Sequence, residues 1–157
     1  LIEYIKGDVC DAFADVIAHG CNCHGKMGSG VAKAIKKKYP LAFQIYAAIH
    51  SSQGLELGQL MMVRVSFSEI ETQSIRQVWI ANLMTQDQYG YDGKQYCDYD
   101  AIRVSLRKLK EWCIENDKVS IAMPKIGSGL GGGDWGIISA IIEEELSDLK
   151  VMIYEYE

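Results

Sequence analysis

His19-Gly-Cys-Asn-Cys-His-Gly-Lys-Met-Gly-Ser-Gly-Val31 is the stretch on which the fold turns. It follows an apolar run at residues 15–18 that reads as a strand, and it leads into residues 30–38, whose apolar spacing predicts a helix. Glycines at 20, 25, 28 and 30 let the backbone approach a ligand closely. At the start of a helix such a loop offers unpaired N–H groups and a favourable dipole to an anion. A plain strand-to-helix turn is the competing reading of the same glycines.

Outward from this segment, Pro124-Lys-Ile-Gly-Ser-Gly-Leu-Gly-Gly-Gly-Asp-Trp135 repeats the order of strand, glycine loop and helix. In open α/β sheets ligands sit beyond the carboxyl ends of the strands, so the two loops are expected on one edge, holding a diphosphate from both sides. Neither matches the G-x-x-x-x-G-K-[ST] phosphate loop, and no acidic residue stands about 20 positions after the first glycines to complete a dinucleotide fingerprint. Kinase and dehydrogenase readings therefore lose ground.

The rest of the chain alternates strand and helix patterns. Strands are predicted at 2–5, 15–18, 60–66, 78–84, 119–123 and 151–156, and helices at 30–38, 41–51, 100–116 and 135–146. In the last helix Trp135, Ile138, Ile142 and Leu146 should face the sheet. This is the pattern of one α/β layer structure over residues 1–157, with no linker or repeat. The longest irregular piece, residues 85–99, follows a strand expected to be buried, which favours a functional loop.

The net charge of -5 has the wrong sign for a protein that grips a nucleic-acid backbone by releasing counterions, but backbone amides can still bind a small anion. Lys33, Lys36, Lys37 and Lys38 form the one basic cluster and read as a solvated helix face. No run is long and apolar enough for a membrane span, and residues 1–7 are too polar for a signal peptide, so a cytoplasmic protein is expected. The five cysteines are an odd number and read as reduced thiols. His19, Cys21, Cys23 and His24 lack the second, distant ligand pair of a structural zinc site, so no metal is expected.

Gly7-Asp8-Val9 after the first strand, the His-Gly-Cys-Asn-Cys segment running into Met27-Gly-Ser-Gly-Val-Ala32, and Met123-Pro-Lys-Ile-Gly-Ser-Gly-Leu130 together resemble a macrodomain. The likeness is strongest to the branch of yeast-type and phage ADP-ribose 1''-phosphate phosphatases and terminal ADP-ribose protein glycohydrolases. It implies a three-layer α/β/α fold around a mixed, largely parallel sheet, with ADP-ribose or its 1''-phosphate as ligand. It also places residues. Asp8 and the Val9 amide would read adenine, and Asn22 would contact the distal ribose. Gly28, Ser29, Gly30 and Val31, with Ile126, Gly127, Ser128, Gly129, Leu130 and Gly131, would wrap the diphosphate and that ribose.

For chemistry, the phosphatase branch points to His19 as acid or base, a role an imidazole suits because its ordinary pKa lies near 6.5. Asn22 would position ribose or water beside it. The glycohydrolase branch would require a lysine where Gln86 stands and an aspartate where Gly131 stands, and glutamine forms no Schiff base. Lys94, Asp87 and Asp134 are the other candidates for a second catalytic group; Asp134 also reads as a helix N-cap, and Asp87 and Tyr89 as residues lining the ribose or as solvated loop. The expected function is removal of phosphate from ADP-ribose 1''-phosphate by a monomer that needs no cofactor. A non-catalytic ADP-ribose reader and a hydrolase freeing ADP-ribose from protein or nucleic acid are the alternatives.

Overall fold

The computed structural model describes residues 2–69 and 71–156. Along the chain run β1 (Ile2–Lys6), β2 (Val16–Asn22), α1 (Gly30–Lys38), α2 (Pro40–Gln53), β3 (Leu60–Glu69), β4 (Ser74–Gln86), α3 (Tyr99–Glu115), β5 (Ser120–Met123), α4 (Trp135–Glu145) and β6 (Lys150–Glu155). Single 3-10 turns lie at Val9–Asp11 and Gly129–Gly131. The strands form one sheet in the order β1-β6-β5-β2-β4-β3. All neighbours are parallel except β3, which pairs antiparallel with β4 at the edge.

Strand alternation builds the two outer layers. Val16, Ala18, Ala81, Leu83, Ile121, Met123, Val151 and Ile153 pack against Ile102, Leu106 and Leu109 of α3 and Ile138, Ile141 and Ile142 of α4. Their chain neighbours Ile17, Cys21, Ile80, Met84, Ala122 and Met152 turn the other way, onto Ile35 of α1 and Ala42 and Tyr46 of α2. With helices on both faces, the central strands read as continuous apolar runs. The result is a three-layer α/β/α sandwich. Between α3 and α4, the Glu145 carboxylate accepts from Arg103 Nη1 at 2.8 Å and from Arg107 Nη2 at 3.0 Å.

Several boundaries depart from the sequence reading. The strand predicted at 15–18 continues to Asn22, because His19 and Cys21 are buried and keep pairing with Asn82 and Met84 of β4. The β3–β4 pair reaches Glu69↔Ser74, well past the predicted 66 and 78. That extension carries few buried apolar residues, so hydrophobic periodicity does not see it. Helix α2 starts at Pro40, which at the first position has no amide to leave unpaired.

Candidate functional site

Because β1, β2, β4, β5 and β6 all run the same way, their carboxyl ends share one edge, and a cleft follows it. The larger lobe, about 620 Å³, lies over β5, β2 and β4. The smaller, about 550 Å³, lies over β1 and β6. Gly30, Val31, Pro124 and Lys125 line both lobes and form the waist between them.

The segments singled out in the sequence meet here. Gly28, Ser29, Gly30 and Val31 face Ile126, Gly127, Ser128, Gly129, Leu130 and Gly131 across the larger lobe. Asp8 and Val9 line the smaller. Gly30 and Gly129 take φ of 59° and 61°, a left-handed backbone that glycine adopts without strain, and both have open space where a Cβ would stand. Ser29 makes no side-chain cap to α1, in contrast to Asp98 of α3 and Asp134 of α4, which accept from Ala101 N and Ile137 N. The first amides of α1 therefore open onto the cleft without a competing side chain.

Charge reinforces this. Lys26, Lys36 and Lys125 line the larger lobe, which has no carboxylate among its described lining residues, in a chain of net charge -5. Lys36 lies 4.0 Å over the Phe43 ring, and Lys125 Nζ is 3.3 Å from Glu155. The sequence reading missed this lysine ring around the lobe. Its members come from a loop, a helix and a strand end, and no local pattern links them.

His19 is held by its surroundings as a neutral, buried imidazole at the lobe. Its side chain is 1% exposed, beneath α2. Asn82 Nδ2 donates to the Ala42 carbonyl at 3.2 Å, which turns Oδ1 toward His19 Nε2 at 2.6 Å and makes that nitrogen the protonated one. Burial pushes the imidazole down to a pKa of about 4, so it is neutral at pH 7, although His19 is among the residues that line the larger lobe. His19 is thus a post between β2, β4 and α2.

Asn22 does line the larger lobe, but most of its amide is committed. Oδ1 accepts from His24 N at 2.9 Å and lies 3.0 Å from Tyr46 Oη, while Nδ2 donates to Lys26 O at 2.8 Å. One N–H is left for a ligand. Its first task is to fold residues 22–26 into a turn.

The remaining candidates separate. Asp134 caps α4. Lys94 is mostly exposed, pairs with Asp92 at 3.7 Å and is not among the residues lining either lobe. Asp87 lies 3.6 Å from His24 Nε2, and its carbonyl accepts from Cys23 N, tying the long loop to the first glycine loop. Tyr89 lines the larger lobe. Gln86 lines it too, with its Oε1 3.2 Å from where a Cβ on Gly131 would stand, so the two positions at which the glycohydrolase branch carries lysine and aspartate are neighbours here. Of His19, Cys21, Cys23 and His24, the Cys21 Sγ lies 3.7 Å from His19 Nε2, and among the described residues no three His, Cys, Asp or Glu side chains gather to hold a metal.

The Macro domain family model matches residues 18–142. An uncharacterized 17.5 kDa protein of Enterobacteria phage T4 is 35% identical, covering 100% of this chain and 97% of its own length. The ADP-ribose 1''-phosphate phosphatase of Debaryomyces hansenii is 28% identical over 98% of each chain. Human ADP-ribose glycohydrolase OARD1 is also 28% identical, over 98% of this chain and 90% of its own. Among solved structures, a protein of unknown function from Bacteroides thetaiotaomicron superposes with a TM-score of 0.81 at 31% identity, covering 98% of this chain and 97% of that one. Fold, motif order and these similarities agree: the chain belongs to the Macro domain family.

Proposed function

We propose that the cleft binds ADP-ribose and that the protein hydrolyses the phosphate monoester of ADP-ribose 1''-phosphate. One observation carries the reading: a lobe ringed by Lys26, Lys36 and Lys125, without a carboxylate among its described lining residues, beside the side-chain-uncapped start of α1 in an acidic chain. Adenine would enter the smaller lobe at Asp8 and Val9, the diphosphate would cross the waist between the glycine loops, and the distal ribose would lie over Asn22. Water then attacks phosphorus, the bond from phosphorus to the anomeric oxygen breaks, and a proton goes to that oxygen, leaving ADP-ribose and phosphate. Such a transfer needs charge stabilisation and positioning more than covalent participation, which suits a site built of lysines and backbone amides. Relatives named as phosphatases over nearly the full chain support this choice, and Gln86 beside Gly131 speaks against a lysine nucleophile.

The second reading is an ADP-ribose reader, favoured by the neutral, buried state of His19 and the internal commitment of Asn22. Single-turnover phosphate release from ADP-ribose 1''-phosphate, run beside calorimetric titration with ADP-ribose, decides between them. Release with binding supports the phosphatase. Binding without release from this substrate, O-acetyl-ADP-ribose or ADP-ribosylated peptide and DNA leaves the reader, and absence of binding removes both.

A further inference from the structure

We infer that the Thr85 hydroxyl is a ligand-binding group that takes an oxygen of the distal ribose. The inference rests on the ADP-ribose reading above and adds a residue to its far end.

Thr85 stands at an irregularity of the sheet. Strands β2 and β4 pair one to one from Val16↔Trp79 to Cys21↔Met84, and then Asn22 pairs with Gln86. Thr85 is the extra residue. A bulge at a strand's carboxyl end re-aims the side chains around it, and bulges recur beside binding sites for that reason. Here the backbone of Thr85 is used, its carbonyl accepting from Asp98 N at 2.8 Å. Thr85 is among the residues lining the larger lobe and is 1% exposed, and its buried Oγ1 has no hydrogen-bond partner among the described residues. Buried hydroxyls left unpaired are rare because desolvation is then uncompensated.

Room is also kept for this hydroxyl. A Cβ on Gly20 would lie 2.6 Å from Oγ1, and Gly20 has no left-handed φ to require glycine there. The glycine is explained by the threonine opposite it. Along the edge, Asp8 follows β1, the waist lies at the end of β5, and Thr85 lies where β2 and β4 end. A ligand with its adenine at Asp8 and its diphosphate at the waist brings its last sugar over Thr85. Its place in the larger lobe, away from Asp8 and beyond the waist, matches the last sugar rather than the base or the diphosphate.

The test is Thr85→Val, which keeps the shape and removes the hydroxyl, with Thr85→Ser as the variant that keeps it. Affinities for ADP, ADP-ribose and ADP-ribose 1''-phosphate and the melting temperature of the ligand-free protein are measured on each. Thr85→Val is expected to weaken ADP-ribose about tenfold, leave ADP within about twofold, and melt no lower than wild type, since no hydrogen bond within the protein is lost. Thr85→Ser is expected to bind ADP-ribose like wild type. Equal binding of ADP-ribose by wild type and Thr85→Val overturns the inference alone, and an equal loss for ADP and ADP-ribose overturns it as a general distortion. A clear drop in the ligand-free melting temperature of Thr85→Val shows a structural partner and overturns it too. A loss confined to ADP-ribose 1''-phosphate assigns the hydroxyl to the phosphate and overturns the ribose assignment. If wild type binds ADP but not ADP-ribose, or binds neither, the ADP-ribose reading itself falls, and this inference with it.

Discussion

Mild acid should loosen this protein through His19. His19 has a pKa of about 4 when folded, against 6.5 for an ordinary imidazole, because burial penalises its charged form. The unfolded chain therefore takes up the proton first as pH falls. Stability is complete above pH 6.5 and is lost as pH drops from 6.5 toward 4. Between pH 7 and pH 5 this linkage amounts to roughly 2 kcal/mol, a large share of an ordinary domain's 5–15 kcal/mol. His19→Gln keeps an amide that can donate to Asn82 and removes the titration. Urea unfolding of both proteins at pH 7 and pH 5 should show the wild type losing about 2 kcal/mol more than the variant over that interval. Parallel losses, or an imidazole resonance for His19 with a midpoint near 6.5, would refute the reasoning. The same variant tests chemistry: phosphate release should stay within about tenfold of wild type, whereas a fall of 100-fold or more with unchanged binding would restore His19 as acid or base.

Three further outcomes follow from the geometry. Asp8→Asn keeps the cap on Cys10 N, since asparagine caps as well as aspartate, and should hold the melting temperature while weakening ADP-ribose by about 1–3 kcal/mol in calorimetry; unchanged affinity would separate Asp8 from adenine. Gly129→Val meets open space and should fold, at a cost of about 1–2 kcal/mol for its left-handed backbone, yet lose ADP-ribose; Gly132→Ala should instead damage the fold, because its Cβ would collide with the Lys94 carbonyl, and circular dichroism beside calorimetry tells the two apart. Glu145→Gln removes the charge that Arg103 and Arg107 share and should cost about 1 kcal/mol at pH 7 in urea unfolding. Because those arginines hold the Glu145 carboxyl below its ordinary range, that contribution should fade as pH falls through the carboxylate range, and a difference that persists at pH 2 would contradict the assignment.

What could be read from the sequence was local. Glycine loops between strand and helix are short-range patterns, and the structure sets both on the cleft at the expected residues. The Asp134 cap needed only its neighbours in sequence. The burial of His19 was not legible because a histidine in a polar-looking segment carries no mark of the helix that covers it: Asn82 and Ala42, which fix its tautomer, come from β4 and α2. Thr85 escaped notice for the same reason, since a bulge exists only once two strands have paired. The Arg103–Glu145–Arg107 bridge likewise depends on α3 and α4 lying side by side.

One contact also gives the site a way to report its own occupancy. The Gly131 carbonyl, in the second glycine loop, accepts from both Tyr96 N at 2.7 Å and Cys97 N at 3.0 Å. Two amides of the long segment after β4 are thereby fastened to the loop expected to close over the diphosphate. Any ligand that stills that loop must also slow the local opening through which those amides reach solvent. Hydrogen exchange at Tyr96 and Cys97 should therefore slow in proportion to the fraction of cleft filled, and would give a readout of binding for ligands that the protein does not turn over.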